Sequence, residues 1–291
     1  MRKLRVGTRK SPLAMRQTEL VIEQLLRGNP DLEIEVVGLS TQGDRDQKSD
    51  LSVIGGKGIF VTEVEKSLLS GEIDFAVHSL KDMPALLPLN LTLAAFPKRA
   101  NPLDCIVYEG ENPLNKSGLI RLGTSSVRRE KQLKNLLSNV TIAPIRGKIE
   151  TRLEKLKGEQ LDGIVLACAG LERMGYEANL TLEVLTAEQC VPACAQGILG
   201  LECREDDLKM LSLLRSLNDE ETAEAAQAER KFLALMNGNC DIPLGALAQK
   251  SGDSWIFHAF LAKSQEDVGR KIALEGANPS VLAEEAFEQL K

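Results

Sequence analysis

Four short segments of this 291-residue chain gather arginine, lysine, hydroxyl or carboxyl groups where a strand pattern gives way to a helix or turn. In Gly7-Thr8-Arg9-Lys10-Ser11, Arg9 can fork onto a carboxylate. Ser11 and the unpaired N–H groups of a helix start also favour an anion. In the segment 123–129, the hydroxyls of Thr124, Ser125 and Ser126 precede Arg128 and Arg129 in the first turn of a helix. Cations there oppose the helix dipole, so the placement requires compensation, which a bound polyanion would supply. Arg146 and Arg152 lie on opposite sides of a third turn and could both reach a cleft between domains. The fourth segment, 78–84, closes an apolar strand. In a partly desolvated cleft its Asp82 could accept N–H hydrogen bonds, stabilise a cation or shuttle a proton.

Each segment also admits a plainer account. Ser11 can simply cap a helix beside a solvated Arg9, and Arg128-Arg129 can be a solvated basic turn. Arg146 and Arg152 can be ordinary exposed helical arginines, and Lys81-Asp82 a surface ion pair of little consequence. His78 reads as a structural residue closing its strand. Taken together, however, the segments describe a cleft rich in fixed cations around one carboxylate. That arrangement suits a substrate bearing several carboxylates and a reacting centre that turns positive. Arginine serves because its planar fork binds carboxylates bidentately and stays charged.

Composition narrows the classes. The net charge of −6 argues against general affinity for nucleic acid or anionic membrane, so the arginine clusters answer to something local. Hydrophobic residues at 43% and charged residues at 27% match a soluble globular protein. No segment approaches the roughly 18 uninterrupted apolar residues of a membrane span. The basic start, Met1 to Gly7, has no apolar stretch or small-residue cleavage site after it, and a cytoplasmic protein is expected. Six cysteines scattered through so long a chain are expected to be mostly reduced and buried. Cys190 and Cys194 are too far apart for a paired-ligand motif, and His78 and His258 are the sole imidazoles, so no metal site is expected.

The elements that must position these groups follow from periodicity. Strand patterns at 4–6, 34–39, 75–78 and 91–96 alternate with helices from Ser11-Pro12 to Gly28 and over 60–69. After a hinge at 97–102 the pattern restarts, with strands at 105–108, 141–145 and 163–167 and helices at 127–137 and 149–156. Alternation of this kind implies α/β sheets with ligand sites at strand ends. Beyond residue 200 come helices at 206–217 and 220–236, strands at 244–249 and 255–262, and a last helix near 280–290, which suggests a small α+β domain. The polar, glycine-containing segment 41–58 is long enough to be a lid.

Several stretches resemble the porphobilinogen deaminase family: Gly-Thr-Arg-Lys-Ser-Pro-Leu-Ala at 7–14, Gly-Gly-Lys-Gly-Ile-Phe at 55–60 and His-Ser-Leu-Lys-Asp-Met-Pro at 78–84. So do Gly-Thr-Ser-Ser-Val-Arg-Arg at 123–129, Thr-Arg-Leu-Glu-Lys-Leu at 151–156 and Gly-Asn-Cys-Asp-Ile-Pro-Leu-Gly at 238–245. The resemblance is collinear from about residue 4 to 290. It implies an α/β fold with two lobes resembling type II periplasmic binding proteins, plus a small α+β third domain. The implied domains are 1–97 with 198–215, then 103–191, then 218–291.

The resemblance further implies a transferase that joins four porphobilinogen molecules, releasing ammonia, into hydroxymethylbilane. Growth would occur on a dipyrromethane cofactor thioether-linked to Cys240. Asp82 would be the catalytic carboxylate, touching pyrrole N–H groups. Arg9, Ser11, Lys81, Thr124, Ser125 and Ser126 would hold acetate and propionate groups of cofactor and growing chain, as would Arg128, Arg129, Arg146 and Arg152. Phe60 would stack near the pyrroles, and the protein would act as a monomer. Three positions depart from the family pattern: Lys148 stands where asparagine is usual, Asn239 replaces the second glycine before Cys240, and Ala195 replaces the first glycine of a Gly-Gln-Gly turn. The competing readings are a non-enzymatic binding protein for a small polycarboxylate and a low-activity paralogue. The third domain with Cys240 weighs against the first, and Lys148 and Asn239 motivate the second.

Overall fold

A computed structural model describes residues 3–40, 61–236, 243–264 and 267–291. The expected lid at 41–58, Phe60, Asn239 and Cys240 lie outside the described residues.

In chain order the first elements are β1 (Leu4–Arg9), α1 (Pro12–Gly28), β2 (Ile34–Leu39), α2 (Thr62–Leu69), β3 (Phe75–Ser79) and β4 (Leu91–Ala95). Next come β5 (Asp104–Val107), β6 (Ile120–Gly123), α3 (Val127–Leu136), β7 (Val140–Ala143), α4 (Ile149–Gly158), β8 (Gly163–Ala167), α5 (Cys168–Met174) and β9 (Leu182–Val184). The chain ends with β10 (Leu199–Arg204), α6 (Leu208–Arg215), α7 (Glu220–Leu235), β11 (Leu244–Ser251), β12 (Ser254–Leu261), β13 (Arg270–Gly276) and α8 (Pro279–Leu290).

Contacts divide the chain into two compact units, Met1–Arg99 with Ile198–Asp241, and Ala100–Gly197 with Ile242–Lys291. In the first, a five-stranded sheet runs β2-β1-β3-β10-β4, with β1 parallel to β2 and β3, and β10 antiparallel to both its neighbours. α1 starts as its sequence dictates: the Ser11 hydroxyl accepts from the Ala14 N–H, and Pro12 occupies the first turn, where no donor is lost. Its Val21 and Leu25 pack on Val6, Phe75 and Val77 of the sheet. The opposite face, at Ala76, is covered by Val64 and Leu68 of α2.

The second unit repeats the pattern as β7-β6-β8-β5-β9, with β6 parallel to β7 and β8, and β5 antiparallel to β8 and β9. It also carries a small α+β domain, the antiparallel sheet β11-β12-β13 with α8, whose Leu282, Ala283, Ala286 and Leu290 are buried. The architecture is therefore the expected class, two α/β lobes and an α+β appendage. α7 belongs with the first unit.

Four strands carried too weak a sequence pattern to be anticipated. β6 and β9 are four and three residues long. β10 buries Glu202 at its centre, and β13 faces solvent at alternate positions through Lys271, Ala273 and Glu275.

The turn at 195–197 shows what the Ala195 departure costs. Ala195 has φ 60°, a left-handed conformation that strains an L-residue by roughly 1–2 kcal/mol. Gly197 follows at φ 86°, and a Cβ there would lie 2.5 Å from the Ala100 carbonyl oxygen. Gly197→Ala is expected to destabilise the chain by about 2–3 kcal/mol, through strain and backbone clash together, read as a lower urea midpoint.

Candidate functional site

The anticipated residues fall into two constellations, one on each unit. In the first unit, the parallel strands β1 and β3 end side by side, and the chain leaving each supplies the polar groups. Arg9 ends β1 and Ser11 caps α1. Past β3, a single 3-10 turn spans Leu80–Asp82 and carries Lys81, half-buried, and Asp82, exposed. Asp82 Oδ2 lies 3.7 Å from Arg9 Nη1. These two residues, with Ser11, Gln17, His78 and Ser79, line a small pocket of about 60 Å³. Ser79 donates to Gln17 Oε1 at 3.0 Å, which fixes one wall.

His78 was expected to be structural, and its ring is anchored by a buried side-chain partner. Its Nε2 lies 2.9 Å from Glu202 Oε2 inside the fold. Glu65 of α2 shares this interior. Burial first, and Glu202 second, push the Glu65 carboxyl up to about 7, with His78 acting in the opposite sense.

In the second unit the structure supplies an internal partner for the basic turn. Arg128 and Arg129 do need compensation at the start of α3, but the partner is internal. Asp104, with no exposed surface, heads β5 and takes both. Its Oδ2 accepts from Arg128 Nη1 at 2.8 Å. Its Oδ1 accepts from Arg129 Nη2 at 2.7 Å and Nε at 3.2 Å. Arg128 also donates to the Val191 carbonyl and Arg129 to that of Val165. Both arginines are only 7% exposed, so the basic turn is not solvated. Burial pushes the Asp104 carboxyl up, but the two guanidinium charges and their hydrogen bonds overcome it and hold it well below the usual carboxylate range.

Gln196 completes the knot, its Nε2 2.8 Å from Asp104 Oδ1 and 2.8 Å from the Pro102 carbonyl. The strained Ala195 turn is what aims it. A carboxylate opening the otherwise apolar run Asp104-Cys105-Ile106-Val107 was the signal available in sequence, since a buried carboxylate demands a cation.

The three hydroxyls at this helix start are tied locally. The Thr124 oxygen accepts from the Ser126 N–H, Ser125 donates to the Ile145 carbonyl, and the Ser126 oxygen caps the Arg129 N–H. Arg146 and Arg152 are both half-buried. Arg152 donates to the Gly147 carbonyl at 2.9 Å, and burial followed by the nearby Arg129 charge lowers its pKa. Lys148, exposed, sits at the N-cap of α4 without a side-chain cap bond. Arg173, which the sequence reading did not single out, donates to the Gly197 carbonyl at 2.6 Å, and burial pulls it down to about 10. Asp104 thus stands against two guanidinium groups, and Arg152 feels the charge of Arg129. An anion is the natural complement.

Comparison with known proteins agrees. The family described as porphobilinogen deaminase, dipyromethane cofactor binding domain, matches residues 4–212, and the porphobilinogen deaminase C-terminal domain matches 223–288. A porphobilinogen deaminase of Macrococcus caseolyticus is 45% identical over 281 residues, covering 96% of this chain and 91% of its own. One from Listeria innocua is 43% identical over 293 residues, covering 99% and 94%. Among solved structures, a probable amino-acid ABC transporter extracellular-binding protein from Bacillus subtilis covers 80% of this chain and 97% of its own at 11% identity, with a TM-score of 0.45. Among the described residues, no helix is long and apolar enough to cross a membrane.

Two stability measurements test these charges. Asp104→Asn leaves two buried guanidinium groups without their counter-charge and is expected to cost about 3–5 kcal/mol in urea denaturation. Glu65 has the opposite sign from an ordinary paired carboxylate. Its folded pKa is raised, so its contribution is full below 4.5 and is lost as pH rises through about 7. Glu65→Gln is therefore expected to flatten the fall in stability between pH 5 and 8 by about 1–2 kcal/mol, discounted for partial solvent screening.

Proposed function

The chain belongs to the porphobilinogen deaminase family, and on that premise we propose how its own residues carry the reaction. Its activity is that of a hydroxymethylbilane synthase. It joins four porphobilinogen molecules, with loss of ammonia, into the linear tetrapyrrole hydroxymethylbilane on a dipyrromethane cofactor. The cofactor supplies the primer on which the chain grows. The observation that carries the reading is the pocket where Arg9 and Asp82 meet at 3.7 Å, a fixed cation for a carboxylate beside a fixed anion for a cationic pyrrole, within the segment that the family model matches.

Cys240 is the proposed attachment point, through a thioether. Arg146, Arg152, Thr124, Ser125 and Ser126 would hold carboxylates of cofactor and growing chain. Arg128 and Arg129, oriented by Asp104, would do so with the N–H groups it leaves them. Arg9, Ser11 and Lys81 would do the same around Asp82, and Phe60 would stack on pyrrole rings. Lys148 adds one more cation at the start of α4.

Asp82 would take the central task. Departure of ammonia leaves a positive charge on the pyrrole of porphobilinogen, and a fixed carboxylate beside that ring stabilises it. Its pairing with Arg9 holds the carboxylate in place without burying it. The family resemblance supports a monomer working in the cytoplasm. It also supports three domains at 1–97 with 198–215, 103–191 and 218–291.

The intact mass of purified protein is expected to exceed the sequence mass by two pyrrole units, with the increment on the peptide containing Cys240. A fully active protein whose Cys240 is unmodified would overturn the attachment. Asp82→Asn is expected to fold and to slow single-turnover chain extension by roughly 10²–10⁴-fold, with Asp82→Glu retaining more activity because the charge survives. Extension by the asparagine variant at the wild-type rate would reduce Asp82 to a surface partner of Lys81 and Arg9.

A further inference from the structure

A polar cluster buried in the first unit abuts the pocket that holds Asp82. His78 lines that pocket while its Nε2 points to Glu202 Oε2, and both side chains are sealed from solvent. Two further charged or titratable groups face this pair from the packed elements, Glu65 on α2 and Arg230 on α7, while Asp82, Arg9 and Lys81 stand at the pocket side. Oε1 of Glu202 and Oε1 of Glu65 are buried and make no hydrogen bond among the described residues.

Two carboxylates sharing one interior resist being ionised together. Glu202 faces both His78 and the charge of Arg230, whereas Glu65 is held up near 7. With Glu202 Oε2 2.9 Å away to accept from an Nε2–H, the Nδ1 of His78 carries the ring's lone pair.

The coupling chemistry has a use for such a lone pair. Each round ends with a proton to be removed from the pyrrole carbon that has formed the new bond. Near neutral pH a carboxylate is a weak base for that task, and imidazole is better matched.

We propose that His78 is a proton acceptor for the coupling step in the Asp82 pocket, with Glu202 as its positioning residue. The proposal rests on the family activity given above. A carbon–carbon bond forms between the methylene of incoming porphobilinogen and the unsubstituted carbon of the terminal pyrrole. The C–H bond at that carbon then breaks, its electron pair restores the ring, and the proton passes to Nδ1. Glu202 stabilises the imidazolium across its Nε2–H. The proton finally leaves with the ammonia released from the same substrate, as ammonium, so no further co-reactant is needed.

Two measurements test this. The first needs no primer: in the full-length Cys240→Ser protein, ¹⁵N spectra report which ring nitrogen of His78 is protonated. The chain has two histidines, so His258→Gln assigns the signals. The expected result is a proton on Nε2 and a bare Nδ1, with Glu202→Gln abolishing that preference. A proton resident on Nδ1 overturns the proposal.

The second uses loaded enzyme and porphobilinogen deuterated at its unsubstituted ring carbon, read in the second and later additions, where a deuterated ring is the acceptor. His78→Ala is expected to slow single-turnover extension about 10²-fold, to expose a deuterium isotope effect, and to be partly rescued by added imidazole. Extension within twofold of wild type overturns the proposal, as does slowing with neither isotope effect nor rescue. If His78→Ala does not fold, Glu202→Gln read by the same isotope effect decides. A wild-type protein without primer or turnover would count against the family activity, whereas the nitrogen spectra judge the acceptor separately.

Discussion

Asp104 is a carboxylate with no exposed surface, gripped by Arg128, Arg129 and Gln196, and most of what is distinctive in the second unit hangs on it. It joins the first residue of β5 to the first turn of α3. Through the arginines it also reaches the carbonyls of Val165 in β8 and Val191. Burying one carboxylate and two guanidinium groups is costly, and is tolerated only because nearly every polar atom finds a partner. In return the arginines lose their freedom. A guanidinium that keeps one orientation is a better carboxylate receptor than a flexible one, since less is lost on binding.

The same knot accounts for the strained turn beside it. Ala195 at φ 60° and Gly197 at φ 86° bend the backbone so that Gln196 points at Asp104. Glycine at 195 would adopt that bend freely. Alanine strains it, and the methyl is buried. The fold carries this departure from the family pattern as local backbone strain at Ala195.

The acids of this protein also show how environment divides one kind of side chain into several tasks. Asp82, exposed on a 3-10 turn beside Arg9, is a fixed charge open to a ligand. Asp104, sealed between two arginines, is a structural anion held well below the ordinary range. Glu65, buried beside Glu202, is raised toward neutrality by burial first and Glu202 second. Burial alone pushes a carboxyl up, and the nearest charges decide whether that push wins.

The sequence by itself determined the alternating strand–helix plan, the capped starts of α1 and α3, and the need for a negative partner at Arg128-Arg129. Those features rest on local periodicity, capping chemistry and the helix dipole, which act over a few residues. It also carried the motifs from Arg9 to Arg152 that mark the family. What supplied the negative partner was decided only by tertiary structure. Asp104 is 24 residues from Arg128, and no local rule pairs them. Likewise the antiparallel strand β10 brings Glu202 to His78 across 124 residues. Strands such as β6, β9 and β13 are short or one-sided, so their own residues do not distinguish them from loops until neighbours complete their hydrogen bonds. Buried charge pairs are the part of this protein least legible in sequence, because the low dielectric that makes them strong exists only after the chain has closed around them.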